Sequence, residues 1–179
     1  MVWISSISKK IIYVIYLCAS VLVLLEIIFQ ILPTATPFWL APATSTESTL
    51  KFYPDQSTTY SLGKNFYKVI NKQTNNYGFV ASKDYKPKSQ PGIVIIGDSY
   101  VEAMQVDSSD TIGEVLSTLY SDQSVYQLGV SGIAMSQYLH MLRWSIDEFK
   151  PKKIGILVVG NDFDQSLCEV RIKEGTWCF

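Results

Sequence analysis

Histidine occurs once in this chain, at position 140, and cysteine three times, at positions 18, 168 and 178. Cys168 and Cys178 have no histidine or further cysteine beside them, so neither zinc-site spacing is met. No metal ligand set and no cofactor is expected. Basic residues do not outnumber acidic ones: Lys and Arg total 15, Asp and Glu 16, and the net charge is -1. No basic patch or stripe is present, which excludes a nucleic-acid partner. There is no Gly-x-Gly-x-x-Gly and no Walker-type lysine, and no acidic residue follows the second expected strand to hold a ribose. Nucleotide binding is therefore set aside. No internal repeat is evident, and 179 residues allow one modest domain.

What is abundant is apolar surface at the N-terminus. Mean hydropathy is +0.15, high for a soluble protein. Most of the excess lies in the run that begins at Ile11 and ends at Leu32. At about 1.5 Å per residue this run reaches about 33 Å as a helix, enough to span a hydrocarbon core. Lys9 and Lys10 precede it, and the next basic residue is Lys51. The positive-inside rule then places residues 1–10 in the cytoplasm and the rest outside. The expectation is a single-pass protein whose domain is periplasmic or at the cell surface. Ala41-Pro42-Ala43 has the small-x-small form of a cleavage site. The run is longer than a signal peptide's apolar core, however, and Ala43 lies well beyond its end, so an uncleaved signal anchor is the reading. Glu26 is the one charge in the span. A carboxylate at membrane depth costs about 2.5–3.5 kcal/mol, so Glu26 is read as lying toward the outer end, protonated or reaching the interface. Outside the cytoplasm, Cys168 and Cys178 can form one disulfide; two free thiols are the equal alternative.

Residues 33–50 are small, polar and proline-containing, which reads as a linker between anchor and domain. Phe38 and Trp39 are expected at the membrane interface. Residues 51–179 form the domain. From 51 to 85 aromatics return, among them Phe52, Tyr53, Tyr60, Phe66, Tyr67, Tyr77, Phe79 and Tyr85. That is too many to leave in water, so a largely irregular segment packed on the domain is expected. Asn75-Asn76-Tyr77-Gly78 is a turn signal.

The remainder alternates between strand and helix signals. Four β-branched residues, Ile93 to Ile96, read as a strand buried on both faces. Gly97-Asp98-Ser99 ends it. Thr111 and Glu114 have capping-box spacing. Ile112, Val115, Leu116, Leu119 and Tyr120 recur at helical intervals. Residues 124–128 are a second strand, closed by Gly129-Val130-Ser131-Gly132. Residues 136–149 are a second helix, with Leu139, Leu142, Ile146 and Phe149 as its apolar stripe, stopped by Lys150-Pro151. Residues 154–159 are a third strand, followed by Gly160-Asn161-Asp162. Short crossovers in this order imply a parallel sheet, so all three loops gather at one edge. A hydroxyl there can act as a nucleophile, and backbone N–H groups near glycines can bear an oxyanion. Taken alone, Asp98 or Ser99 fits helix capping better than chemistry, and it is the convergence of the three loops that reverses this.

These three blocks resemble the SGNH hydrolases, also called GDSL esterases and lipases: Gly97-Asp98-Ser99, Gly132 within 128–132, and Gly160-Asn161-Asp162. Residues 75–79 ahead of the first strand fit too, and the resemblance runs from about 75 to 166. It implies a flavodoxin-like three-layer α/β/α fold and ester hydrolysis or acyl transfer without a metal. By the resemblance Ser99 is the nucleophile, and Ser99 N–H, Gly132 N–H and Asn161 form the oxyanion hole. Asp98, with Gly97 and Gly160, shapes the loops. The substrate implied is an acylated small molecule or a glycan of the cell envelope.

The chain departs from the family in one block. No Asp-x-x-His, the family's base and orienter, occurs anywhere. Taking 100° per residue, His140 lies about 150° from the centre of its helix's stripe and should face solvent. Asp162 and Asp164 are read as capping and turn residues, since an ordinary aspartate is a poor base at neutral pH. Only three strands are evident where the family fold has five. The expectation is the N-terminal part of a longer chain, with two strands and the base in the remainder. The competing reading is a non-catalytic module that binds acylated glycan or a protein. Oligomeric state is left open.

Overall fold

The computed structural model describes residues 2–44 and 49–168, with the side chains of residues 2–8 left out. The chain divides into two units, Met1–Ala35 with Ser61–Val69, and Thr36–Tyr60 with Ile70–Phe179.

The first unit contains helix α1, Val2–Ile31. Within it Lys9–Ile31 has a mean hydropathy of 2.7 and is long and apolar enough to cross a membrane. Its side chains are exposed on every side. Glu26 accepts a hydrogen bond at 2.9 Å from the Gln30 side-chain amide, one turn further along the same face. The unit also holds a tight turn in which Phe66 N–H donates to Gly63 O at 3.1 Å.

The second unit is built on strands β5 (Ile93–Gly97), β6 (Val125–Gly129) and β7 (Lys153–Ile156). They form a three-stranded parallel sheet in the order β6-β5-β7. The run of β-branched residues sits at its centre, as a strand buried on both faces must. Side chains alternate across it. Ile93 and Ile95 pack with Ile112 and Leu116 of helix α3, Ile112–Leu119. Val94 and Ile96 share the larger core with Tyr138, Met141 and Phe149 of helix α4, Met135–Phe149. The unit is thus a mixed α/β structure, with a helix on each face of the sheet.

The outer edge of β6 is closed by a side chain. The Tyr85 hydroxyl accepts from Gln127 N–H at 2.9 Å and donates to Gln127 O at 3.0 Å. The Tyr85 ring stacks on Tyr126 with centroids 3.9 Å apart. An unpaired strand edge is an aggregation hazard, and here a phenol takes the place of a neighbouring strand. At the other edge Ile156 of β7 stays 46 % exposed.

Several expectations are corrected. The segment after residue 50 is not irregular: β1 (Leu40–Ala41) pairs antiparallel with β2 (Lys51–Phe52), and β3 (Ser57–Leu62) pairs with β4 (Lys68–Gln73). The expected linker is built into the second unit from Thr36 onward. Phe38 packs against Phe52, with centroids 5.1 Å apart and the rings tilted by 40°, rather than reaching for an interface, whereas Trp39 is exposed. The capping box does not form. Thr111 Oγ1 donates to Ser108 O, and Glu114 takes the Ser82 hydroxyl and lies 3.9 Å from Lys83 Nζ. The α4 stripe is shifted in phase: Tyr138, Met141, Ser145 and Phe149 are buried, while Leu139 and Ile146 are 46 % and 47 % exposed. Tyr138 and Ser145 can be buried because their hydroxyls are satisfied, by Asp162 and by Leu142 O. β7 stops three residues short of Val159, because 157–159 turns out of the ladder to start helix α5, Gly160–Gln165. The turn at Asn75 forms as read. Asn75 Oδ1 accepts from Tyr77 N–H and Phe79 N–H, and Gly78 takes φ +81° against the Phe52 carbonyl.

Candidate functional site

Register brings the three loops together. Gly97 of β5 pairs with Gly129 of β6, and Ile96 pairs with Ile156 of β7. Leu157 N–H still donates to Ile96 O at 2.8 Å, and Val130 N–H to Gly97 O at 3.3 Å. The chain leaves β5 for β6 on one side, then crosses back over β5 to β7. The reversal of direction falls between β5 and β7, and the carboxyl ends of strands at such a point are where open α/β sheets bind ligands. Ser99 stands there. It is half-buried and is the first residue of helix α2, Ser99–Glu102.

Asp98 holds Ser99 in place. It is 4 % exposed, and its Oδ1 accepts from Tyr100 N–H at 3.0 Å. That is an N-cap role, with the carboxylate turned to its own backbone. The α2 turn closes with Ala103 N–H donating to Ser99 O at 2.9 Å.

Two glycines let α2 lie against the strand ends. A Cβ on Gly129 would stand 2.1 Å from Glu102 N, and one on Gly97 would stand 2.4 Å from Val101 Cγ2. Gly132 takes φ +79°, with open space where a Cβ would be. Gly160 is equally open.

Two buried acids and a phenol lie beneath the loops. Glu102 is 4 % exposed and accepts from Ser131 N–H, so it joins α2 to the β6 loop. Burial pushes its carboxyl above the usual range, against the hydrogen bonds from Ser131. Asp162 is fully buried. Its Oδ2 accepts from Val159 N–H at 2.8 Å and from the Tyr138 hydroxyl at 3.0 Å, while Oδ1 has no partner. Burial and Asp162 together drive the Tyr138 phenol far above its ordinary pKa, so it stays a donor. Asp162 therefore caps α5, as read, and also anchors α4.

Asn161 is exposed, and its side-chain amide donates to Gln165 Oε1 at 3.0 Å on its own helix. His140 is exposed on α4 and Asp164 on α5. Cys18 is free, Cys168 is disulfide-bonded, and Cys178 lies outside the described residues. Among the described residues no group of three His, Cys, Asp or Glu stands close enough to hold a metal ion.

Glu102 and Tyr138 escaped the sequence reading. Glu102 lies three residues after Ser99 and so returns to the same side of a helical turn. Tyr138 was masked by the phase error in α4.

The chain matches no protein-family model, no curated protein and no solved structure.

Proposed function

We propose that this chain carries a serine-centred site for acyl esters, acting as an SGNH-type esterase or acyltransferase. The observation that supports it is the position of Ser99, two residues past the end of β5, at the carboxyl ends of β5 and β7. In this reading the Ser99 hydroxyl attacks the acyl carbonyl and forms an acyl-enzyme. Backbone N–H groups of Ser99 and Gly132 and the Asn161 amide bear the oxyanion. Each such donor contributes about 2.7–4 kcal/mol of barrier lowering. For Asn161 the bond to Gln165 has to yield one amide hydrogen to the substrate. Asp98, Gly97 and Gly160 shape the loops, and the fold is the flavodoxin-like three-layer type.

The proton on Ser99 needs an acceptor. His140 is on the surface of α4 and Glu102 is held by Ser131, so the base comes from outside the described residues. α1 anchors the domain in a membrane with its N-terminus in the cytoplasm, and acylated glycans of the envelope are the substrates suited to that place.

The second reading is a module that binds acyl esters without turnover. The engagement of Asn161 by Gln165 favours it. Hydrolysis of p-nitrophenyl acetate separates the two. Turnover at least about a hundredfold above Ser99→Ala supports an esterase; equal rates support the binding module.

A further inference from the structure

A cavity of about 480 Å³ lies in the second unit, and none of the strand-end residues Ser99, Gly132 or Asn161 lines it. Its size is in the range of small-ligand sites. Thr58, Thr59, Ser82, Ser108, Thr111 and Gln127 line it, and Lys72 stands among them. Strand β4 places Lys72 there. Ile70 and Lys72 are buried and Val69, Asn71 and Gln73 exposed, and Asn71 and Gln73 line the cavity beside Lys72.

Lys72 is 3 % exposed. Its ammonium makes one hydrogen bond, to Ser108 Oγ, at the outer limit of 3.5 Å. An ammonium offers three donors, and no carboxylate of the described residues lies within ion-pair distance of it. Burial lowers its pKa, and Asp107 and Asp110 act from further away to raise it. A buried cation with two donors to spare, in the lining of a cavity, is arranged to meet an anion.

The lining narrows the chemistry. Ser and Thr hydroxyls both donate and accept, which matches ligand hydroxyls that do the same. One ammonium matches one carboxylate. Asp107 and Asp110, both exposed on the turn beside Ser108, repel a ligand of higher negative charge. We propose that this cavity binds a small polyhydroxylated monocarboxylate, of the sugar-acid class, with Lys72 as the partner of its carboxylate.

Titration calorimetry on the full chain in detergent tests this, with sodium D-glucuronate, D-glucose and inorganic phosphate as probes. Glucuronate binds, and glucose binds at least about tenfold more weakly, for loss of one charge-assisted hydrogen bond. Lys72→Met, folded by near-ultraviolet circular dichroism, binds glucuronate as weakly as the wild type binds glucose. No heat with glucuronate, equal affinity for glucose, tighter binding of phosphate, or undiminished binding by folded Lys72→Met each overturns the assignment. The comparison of glucuronate with glucose uses the wild type alone, so it decides even where the variant does not fold.

Discussion

The Tyr138 hydroxyl donates to Asp162 Oδ2 across 3.0 Å, and both residues are buried. This bond fastens the start of α4 to the start of α5, and so ties the loop after β6 to the loop after β7. Asp162 Oδ1 has no partner of its own, so the carboxylate depends on the two donors at Oδ2. Removing one leaves a buried acceptor underserved, at a cost of about 1–3 kcal/mol. Tyr138→Phe should therefore lower the unfolding free energy by that amount, read as a lower denaturant midpoint, without emptying the core, since only an oxygen is lost. An unchanged midpoint would mean that the bond contributes nothing net.

Glu102 gives the fold a pH dependence. Its carboxyl is raised above the ordinary 4.5 by burial, so the folded chain binds its proton more tightly than the unfolded chain does. Its contribution to stability is then greatest below pH 4.5 and falls as pH rises from there to its raised folded value. Glu102→Gln removes that fall while keeping an oxygen for Ser131 N–H. The variant should gain on the wild type as pH rises through this window, in denaturation midpoints measured at successive pH values. A constant difference would show that Glu102 titrates normally.

Gly129 and Gly160 form a matched pair of alanine tests. A methyl on Gly129 strikes the Glu102 backbone at 2.1 Å, where no side chain can swing aside. Overpacking of this kind costs about 3 kcal/mol or more. A methyl on Gly160 meets nothing within 4 Å, and Gly160 opens a helix, so alanine there should be neutral or stabilising by up to about 1 kcal/mol. Equal effects at the two positions would contradict the packing of α2 against β6.

We propose a cytoplasmic N-terminus, from Lys9 and Lys10 before the span and no basic residue until Lys51. Protease added outside intact cells should degrade the domain and leave an N-terminal tag protected. Loss of the tag with the domain intact would reverse the topology.

Much of this architecture is legible in the sequence because it rests on local rules. The β-branched run Ile93 to Ile96 can only be a strand buried on both faces, and the glycine-bearing loops follow from where each apolar run stops. Other features depend on partners distant in sequence. Tyr138 and Ser145 face the core because Asp162 and Leu142 O satisfy their hydroxyls, which no periodicity in α4 reveals. Thr111 and Glu114 have the spacing of a capping box, yet Ser108 and Ser82 offer them other bonds. Lys72 sits in a strand whose alternation would suit an apolar residue, and only its placement beside the cavity gives it meaning.

We propose Ser99 as the nucleophile, and the direct test is fluorophosphonate labelling of the full chain followed by mass mapping of the modified peptide. The account predicts a phosphonyl adduct on Ser99, absent from Ser99→Ala. No adduct, or an adduct that persists in Ser99→Ala, would contradict it.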